Sequence, residues 1–171
     1  MNTQTVDFML DKIVEKTKER VSEAKKVNSL DKLKYKIFNL DVYFNYPFKN
    51  AIGSDDISII AEVKKASPSK GLMAEDFDYV NIAKEYEAAG ASAISVLTEP
   101  YFFQGSDDYL KEIVKNVKIP VLRKDFVVDE YMIYEAKLLG ASAVLLIVSI
   151  LSDEQLEPVS YTHLTLPTTS R

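Results

Sequence analysis

Cysteine and tryptophan are absent from the 171 residues, and the single histidine, His163, lies near the C-terminal end. Their absence excludes disulfides, thiolate nucleophiles and thiolate metal sites, and leaves acid–base chemistry to Lys, Glu, Asp and Tyr. Glycine is sparse, and no Gly-x-Gly-x-x-Gly occurs, so a nucleotide cofactor has no support. No apolar run approaches the ~18 residues that a bilayer requires, and Met1 to Leu10 lacks the charged-then-apolar layout of a secretory signal. The expected compartment is the cytoplasm, with no membrane partner. Acidic and basic residues are interspersed at a net charge of -5, which argues against a nucleic-acid surface. A small anionic substrate would need a locally basic pocket.

What is present is a hydrophobic fraction of 47%, enough for a core in about one domain. From Val6 to Val27 the chain is charged and helix-favouring. Phe8, Leu10, Ile13, Val14, Thr17 and Val21 fall near a three-to-four spacing, which predicts one amphipathic helix. A shorter helix is expected over Leu30 to Leu40, and Val42 to Gly53, with Pro47, reads as a connecting loop.

After Gly53 short apolar runs alternate with amphipathic stretches. Strands are expected at Ile57 to Val63, Ala93 to Leu97, Val121 to Phe126 and Ala143 to Val148. Helices are expected at Asp78 to Ala89, Asp107 to Val117 and Asp129 to Leu139, with another after Ser152, where Ser152 and Gln155 have capping-box spacing. This is a repeated βα pattern, and its continuous apolar strands predict a parallel sheet buried on both faces. An internal echo supports it. Ala89-Gly90-Ala91-Ser92-Ala93-Ile94-Ser95-Val96-Leu97 returns as Leu139-Gly140-Ala141-Ser142-Ala143-Val144-Leu145-Leu146-Ile147, each glycine closing a helix before a strand.

In parallel βα folds ligands bind at the carboxyl ends of strands, so charge there carries weight. The first strand ends in Glu62-Val63-Lys64-Lys65-Ala66-Ser67-Pro68-Ser69. Strand alternation puts Ile60, Glu62 and Lys64 on one face and Ile59, Ala61 and Val63 on the other. The third strand places Lys124 on a face with Leu122 and Phe126. In a barrel, alternate strands feed one interior layer, which would bring Lys64 and Lys124 to one pocket. Two ammonium groups sharing a pocket lower each other's pKa, a carboxylate such as Glu62 opposes that shift, and the balance leaves one lysine poised as a general acid. The competing readings are a surface ion pair and two lysines snorkelling to solvent.

The run Ile59-Ile60-Ala61-Glu62-Val63-Lys64-Lys65-Ala66-Ser67-Pro68-Ser69-Lys70-Gly71 resembles the signature of indole-3-glycerol-phosphate synthase. Ser95-Val96-Leu97-Thr98-Glu99, Phe103-Gln104-Gly105-Ser106, Leu122-Arg123-Lys124-Asp125-Phe126 and Leu145-Leu146-Ile147-Val148 resemble that family's next strand regions, in order. The resemblance implies an α/β fold of the (β/α)8 barrel class, truncated to an N-terminal helical extension (residues 1–53) and the first four βα units (54–156). It implies a carbon–carbon lyase of tryptophan biosynthesis. That enzyme closes 1-(2-carboxyphenylamino)-1-deoxyribulose 5-phosphate into indole-3-glycerol phosphate, releasing carbon dioxide and water without metal or organic cofactor. By resemblance, Lys124 is the general acid, Lys64 binds anionic substrate groups and donates a proton during dehydration, and Glu62 positions both lysines. Phe103, Phe126 and Leu145 fall where the family walls the anthranilate ring, and Ser67 falls beside the substrate. For Phe103 and Leu145 ordinary core packing is the competing reading.

From Glu157 to Arg171 the resemblance stops, and Pro158 and a Thr- and Pro-rich remainder disfavour a helix. These residues read as an unrelated, artefactual tail, with a natural short C-terminus as the alternative. The family's strand-five glutamate, strand-six asparagine and phosphate-binding loops after strands seven and eight have no counterpart. Little or no turnover is therefore expected of this chain alone. An open half-barrel exposes edges and an apolar face, so self-association is expected. The other readings are a phosphate-binding barrel isomerase and a non-catalytic half-barrel that assembles.

Overall fold

The computed structural model describes residues 3–40, 46–53, 57–73 and 75–151, with side chains from Phe8 onward. The helix expected after Ser152, His163 and the tail from Glu157 lie outside the described residues. In chain order the helices are α1 (Thr3–Val27), α2 (Leu30–Phe38), α3 (Pro47–Ile52), α4 (Tyr79–Ala88), α5 (Asp107–Asn116) and α6 (Glu130–Leu138). The strands are β1 (Ile60–Val63), β2 (Ala66–Ser67), β3 (Gly71–Leu72), β4 (Ala93–Leu97), β5 (Val121–Lys124) and β6 (Ala143–Val144), and a short 3₁₀ turn follows at Val148–Ile150. Two compact units share the chain. Among the described residues, one takes 3–40, 126–138 and 146–151, the other 46–53, 57–73, 75–125 and 139–145.

In the first unit, α1 buries Ile13, Thr17 and Val21, one residue per turn of a single stripe. The buried Thr17 hydroxyl donates to the Ile13 carbonyl at 2.8 Å, so it is not left unsatisfied. Phe8, expected on that stripe, is exposed. Ser29 caps α2 by accepting from the Lys32 amide, and Leu33 and Ile37, four apart, form the helix's buried face. That helix packs on α6, whose Tyr131, Met132, Ile133, Tyr134 and Ala136 are all buried. Asp129 joins α1 to the start of α6: its carboxylate accepts the Tyr131 amide at 2.9 Å and the Lys25 ammonium at 2.7 Å.

The second unit is built on a parallel sheet in the order β1-β4-β5-β6. Helices α4 and α5 cover the face that carries Val63, Ile94, Val96 and Val121, all buried. The opposite face is covered unevenly. In β4, which has a strand on either side, all five residues are buried, whereas Ile60 on the edge strand β1 is 45% exposed. The expectation of burial on both faces therefore holds for β4 and fails at the edge, where a neighbouring strand is lacking among the described residues.

Two local differences have plain causes. Pro47 opens α3 inside the expected loop, its fixed φ and missing N–H being suited to a first helical position. Beyond β1, Ala66–Ser67 pairs antiparallel with Gly71–Leu72, a hairpin too short to leave a period in the sequence. Both glycines of the internal echo sit at φ 90°, Gly90 after α4 and Gly140 after α6, the left-handed backbone that ends a helix cheaply only at glycine.

Candidate active site

Alternation places Glu62 and Lys64 on the face opposite α4 and α5 at the carboxyl end of β1, and Lys124 is the last residue of β5. Between β1 and β5 lies β4, so the two strands are about 9.5 Å apart, twice the ordinary strand spacing. A lysine and a glutamate reaching toward each other span that gap. In the sheet register Ser95 stands beside Glu62 and Leu97 beside Lys124. The small Ser95 leaves room above the sheet for the two long side chains to meet.

They do meet. Lys64 Nζ donates to Glu62 Oε1 at 2.7 Å, and Lys124 Nζ donates to Glu62 Oε2. One carboxylate thus holds two ammonium groups, one on each oxygen. Burial raises the Glu62 pKa, but the hydrogen bonds and charges of Lys124 and Lys64 outweigh it and hold the carboxyl below its ordinary value. The side chains of all three remain between 27% and 39% exposed, so the cluster is open to a solute. Chemically it offers two proton-bearing cations beside one anion that orients them, on the sheet face opposite α4 and α5.

The remaining expected residues are found on different elements. Ser67 is buried at the end of β2, and its hydroxyl accepts the Lys70 amide at 3.2 Å, so it serves first to close its own turn. Phe103 lies half-buried on the loop between β4 and α5, and Leu145 half-buried just after β6. Phe126 is half-buried and belongs to the first unit, outside the unit that carries Glu62, Lys64 and Lys124.

Two groups near the strand ends escaped the sequence reading. Arg123 alternates away from Lys124 and is 1% exposed on the helix side. It donates to Thr98 Oγ1 at 3.1 Å and to Asp107 Oδ1 at 2.8 Å, and it pairs with the buried Asp125 at 3.7 Å. Thr98 in turn donates to Asp125 at 2.7 Å. This network ties the ends of β4 and β5 to the first turn of α5. The second group is Glu99, fully buried two residues past β4, whose carboxylate accepts backbone amides of the following loop. Strand alternation is the signal that would have sent Arg123 inward; for Glu99 the only signal is an acid directly after an apolar run.

A family model described as Indole-3-glycerol phosphate synthase matches residues 10–164, running past Leu156. Curated proteins with that same name are similar over most of the chain. The one from Ruminiclostridium cellulolyticum is 53% identical over 150 residues, 88% of this chain and 58% of the relative. The one from Endomicrobium trichonymphae is 55% identical over 151 residues, 88% of this chain and 58% of the relative. The one from Lachnoclostridium phytofermentans is 50% identical over 160 residues, 87% of this chain and 59% of the relative. The chain thus spans somewhat under three-fifths of the length of these relatives.

Proposed function

The chain belongs to the indole-3-glycerol phosphate synthase family, and from that premise we propose that the sheet face opposite α4 and α5, at its carboxyl end, is the acid half of a synthase active site. The family's fold is the (β/α)8 barrel, and the sheet β1-β4-β5-β6 with its intervening helices corresponds to its first four βα units. In this reading the division at residues 53 and 156 separates helical extension, half-barrel and tail. The substrate is a small phosphorylated one, 1-(2-carboxyphenylamino)-1-deoxyribulose 5-phosphate.

Lys124 protonates the substrate ketone oxygen as the ring carbon attacks that carbonyl carbon. Lys64 holds the anthranilate carboxylate that leaves as carbon dioxide, then supplies a proton when the new hydroxyl departs as water. Glu62 aims both ammonium groups, Phe103 and Leu145 wall the aryl ring, and Ser67 lies beside the substrate in the first loop. The observation that carries this reading is the single carboxylate shared between Lys64 and Lys124. Loss of the hydroxyl as water also requires a base to take a proton from the substrate, and the resemblance places that base on a fifth strand, so we propose that these 171 residues alone do not turn over substrate.

The test uses a completed barrel: residues 1–151 of this chain followed by the remaining length of the R. cellulolyticum relative. Lys124→Ala is expected to lower kcat by about 10²- to 10⁴-fold, the usual contribution of a general acid, and Lys64→Ala by less. The reverse order would overturn the assignment. The 171-residue chain itself has Ile59 57% and Ile60 45% exposed, which favours self-association. Light scattering that finds a monodisperse monomer would sink that part.

A further inference from the structure

We propose that Glu99 is a positioning residue: its buried carboxylate fixes the backbone of residues 101–103 and, through it, the place of Phe103 beside the substrate. The second half of this statement rests on the reading of Phe103 given above.

Glu99 is 0% exposed and lies just past β4, where the chain leaves the sheet. Oε1 accepts the Tyr101 amide at 3.0 Å, and Oε2 accepts the amides of Phe102 at 2.7 Å and Phe103 at 3.0 Å. Three consecutive N–H groups thus converge on one anion, and hydrogen bonds to a charge are roughly twice as strong as neutral ones. The Glu99 carbonyl accepts the Gly105 amide at 2.8 Å, closing the loop a second time. At Gly105 the chain folds back so tightly that a Cβ there would stand 2.4 Å from the Leu97 carbonyl oxygen. Gln104 takes a left-handed φ of 50° to make that return.

This loop follows β4, the strand that separates Glu62 from Lys124, and it carries Phe103. A glutamine has the same shape but a single acceptor oxygen and two donors of its own, so it cannot serve three amides at once. Only the carboxylate satisfies all three. A rigid, dry anchor at the root of the loop is what a ring wall requires if it is to meet the aryl group without paying to order itself on binding.

The first measurement is hydrogen exchange, resolved to single amides, on the 171-residue chain with Glu99→Gln. The amides of Tyr101, Phe102 and Phe103 should exchange about tenfold faster or more, as loss of a charge-assisted hydrogen bond implies, with Val96 and Leu97 unchanged. Glu99→Asp keeps the charge on a shorter arm and should give a smaller acceleration at the same three amides. Unchanged exchange in both variants, or collapse of both, assigns Glu99 no positioning role and overturns the proposal. The second measurement is kinetic, in the completed barrel. Glu99→Gln should raise KM about three- to tenfold, the range for losing an aromatic contact, with kcat nearly unchanged and no further rise on a Phe103→Ala background. Equal losses in both backgrounds would show that Glu99 does not act through Phe103. An unsubstituted completed barrel without turnover would sink the synthase reading instead. The exchange pattern then decides the anchor alone: acceleration confined to the three amides upholds it, and uniform exchange overturns it.

Discussion

Replacing Arg123 with methionine removes a charge that is 1% exposed and leaves its partners in place. The two acids respond differently. Asp107 is 36% exposed, so water takes over the bond it loses at 2.8 Å. Asp125 has a side chain that is 0% exposed, and water cannot reach it. Breaking a buried pair from one side costs about 3–5 kcal/mol, mostly the stranded charge, against a total stability of about 5–15 kcal/mol for an ordinary domain. With a urea dependence of about 2 kcal/mol per molar, the midpoint should fall by about 1.5–2.5 M. Far-UV circular dichroism in urea, at one protein concentration for all variants, reads the change. Adding Asp125→Asn to Arg123→Met removes the stranded charge while keeping an acceptor for the Thr98 hydroxyl, so more than half of the loss should return. A single variant within about 1 kcal/mol of the parent would refute the argument, because it would mean that the buried carboxylate needs no guanidinium.

Two further predictions concern the face opposite Arg123. Glu62 has a folded pKa held below 4.5 by its two lysines, so its stabilising contribution is present above that value and is lost as pH falls through the folded pKa. The gap in urea midpoint between parent and Glu62→Gln should therefore be widest near neutral pH and close in acid; a gap that stays constant from about pH 7 to about pH 3 would count against the paired carboxylate. The Ser95 hydroxyl is buried without a hydrogen-bond partner among the described residues, so Ser95→Ala should be neutral or stabilising by about 1 kcal/mol in the same titration. A loss of more than about 1 kcal/mol would reveal a partner for that hydroxyl.

Much of this molecule is written locally. The strand Ala93–Leu97 was legible to the residue, since five apolar or small residues between a helix-closing glycine and a polar stretch leave little choice. Glu62 and Lys64 were legible as neighbours on one face, because a period of two belongs to any extended chain. The ends of the other strands were not. Ile57 to Val63 was expected as one strand, but β1 begins at Ile60, opposite Ala93, where β4 first supplies a partner. Similarly, β5 stops at Lys124 and β6 after Val144, because strand length is a property of pairing and not of a single run.

The site divides the same way. Composition and alternation determined that the chemistry rests on carboxylates and ammonium groups at strand ends, and which face each occupies. Only the tertiary structure decided between a carboxylate shared by Lys64 and Lys124 and two lysines turned to solvent, both of which the sequence allowed, and only it showed that Arg123 finds Asp107, Thr98 and Asp125 and that Glu99 gathers three amides rather than facing solvent. The direction of a side chain follows from its own backbone, whereas the identity of its partner depends on which strand lies alongside and how far the chain turns back, and that emerges only once the sheet has formed.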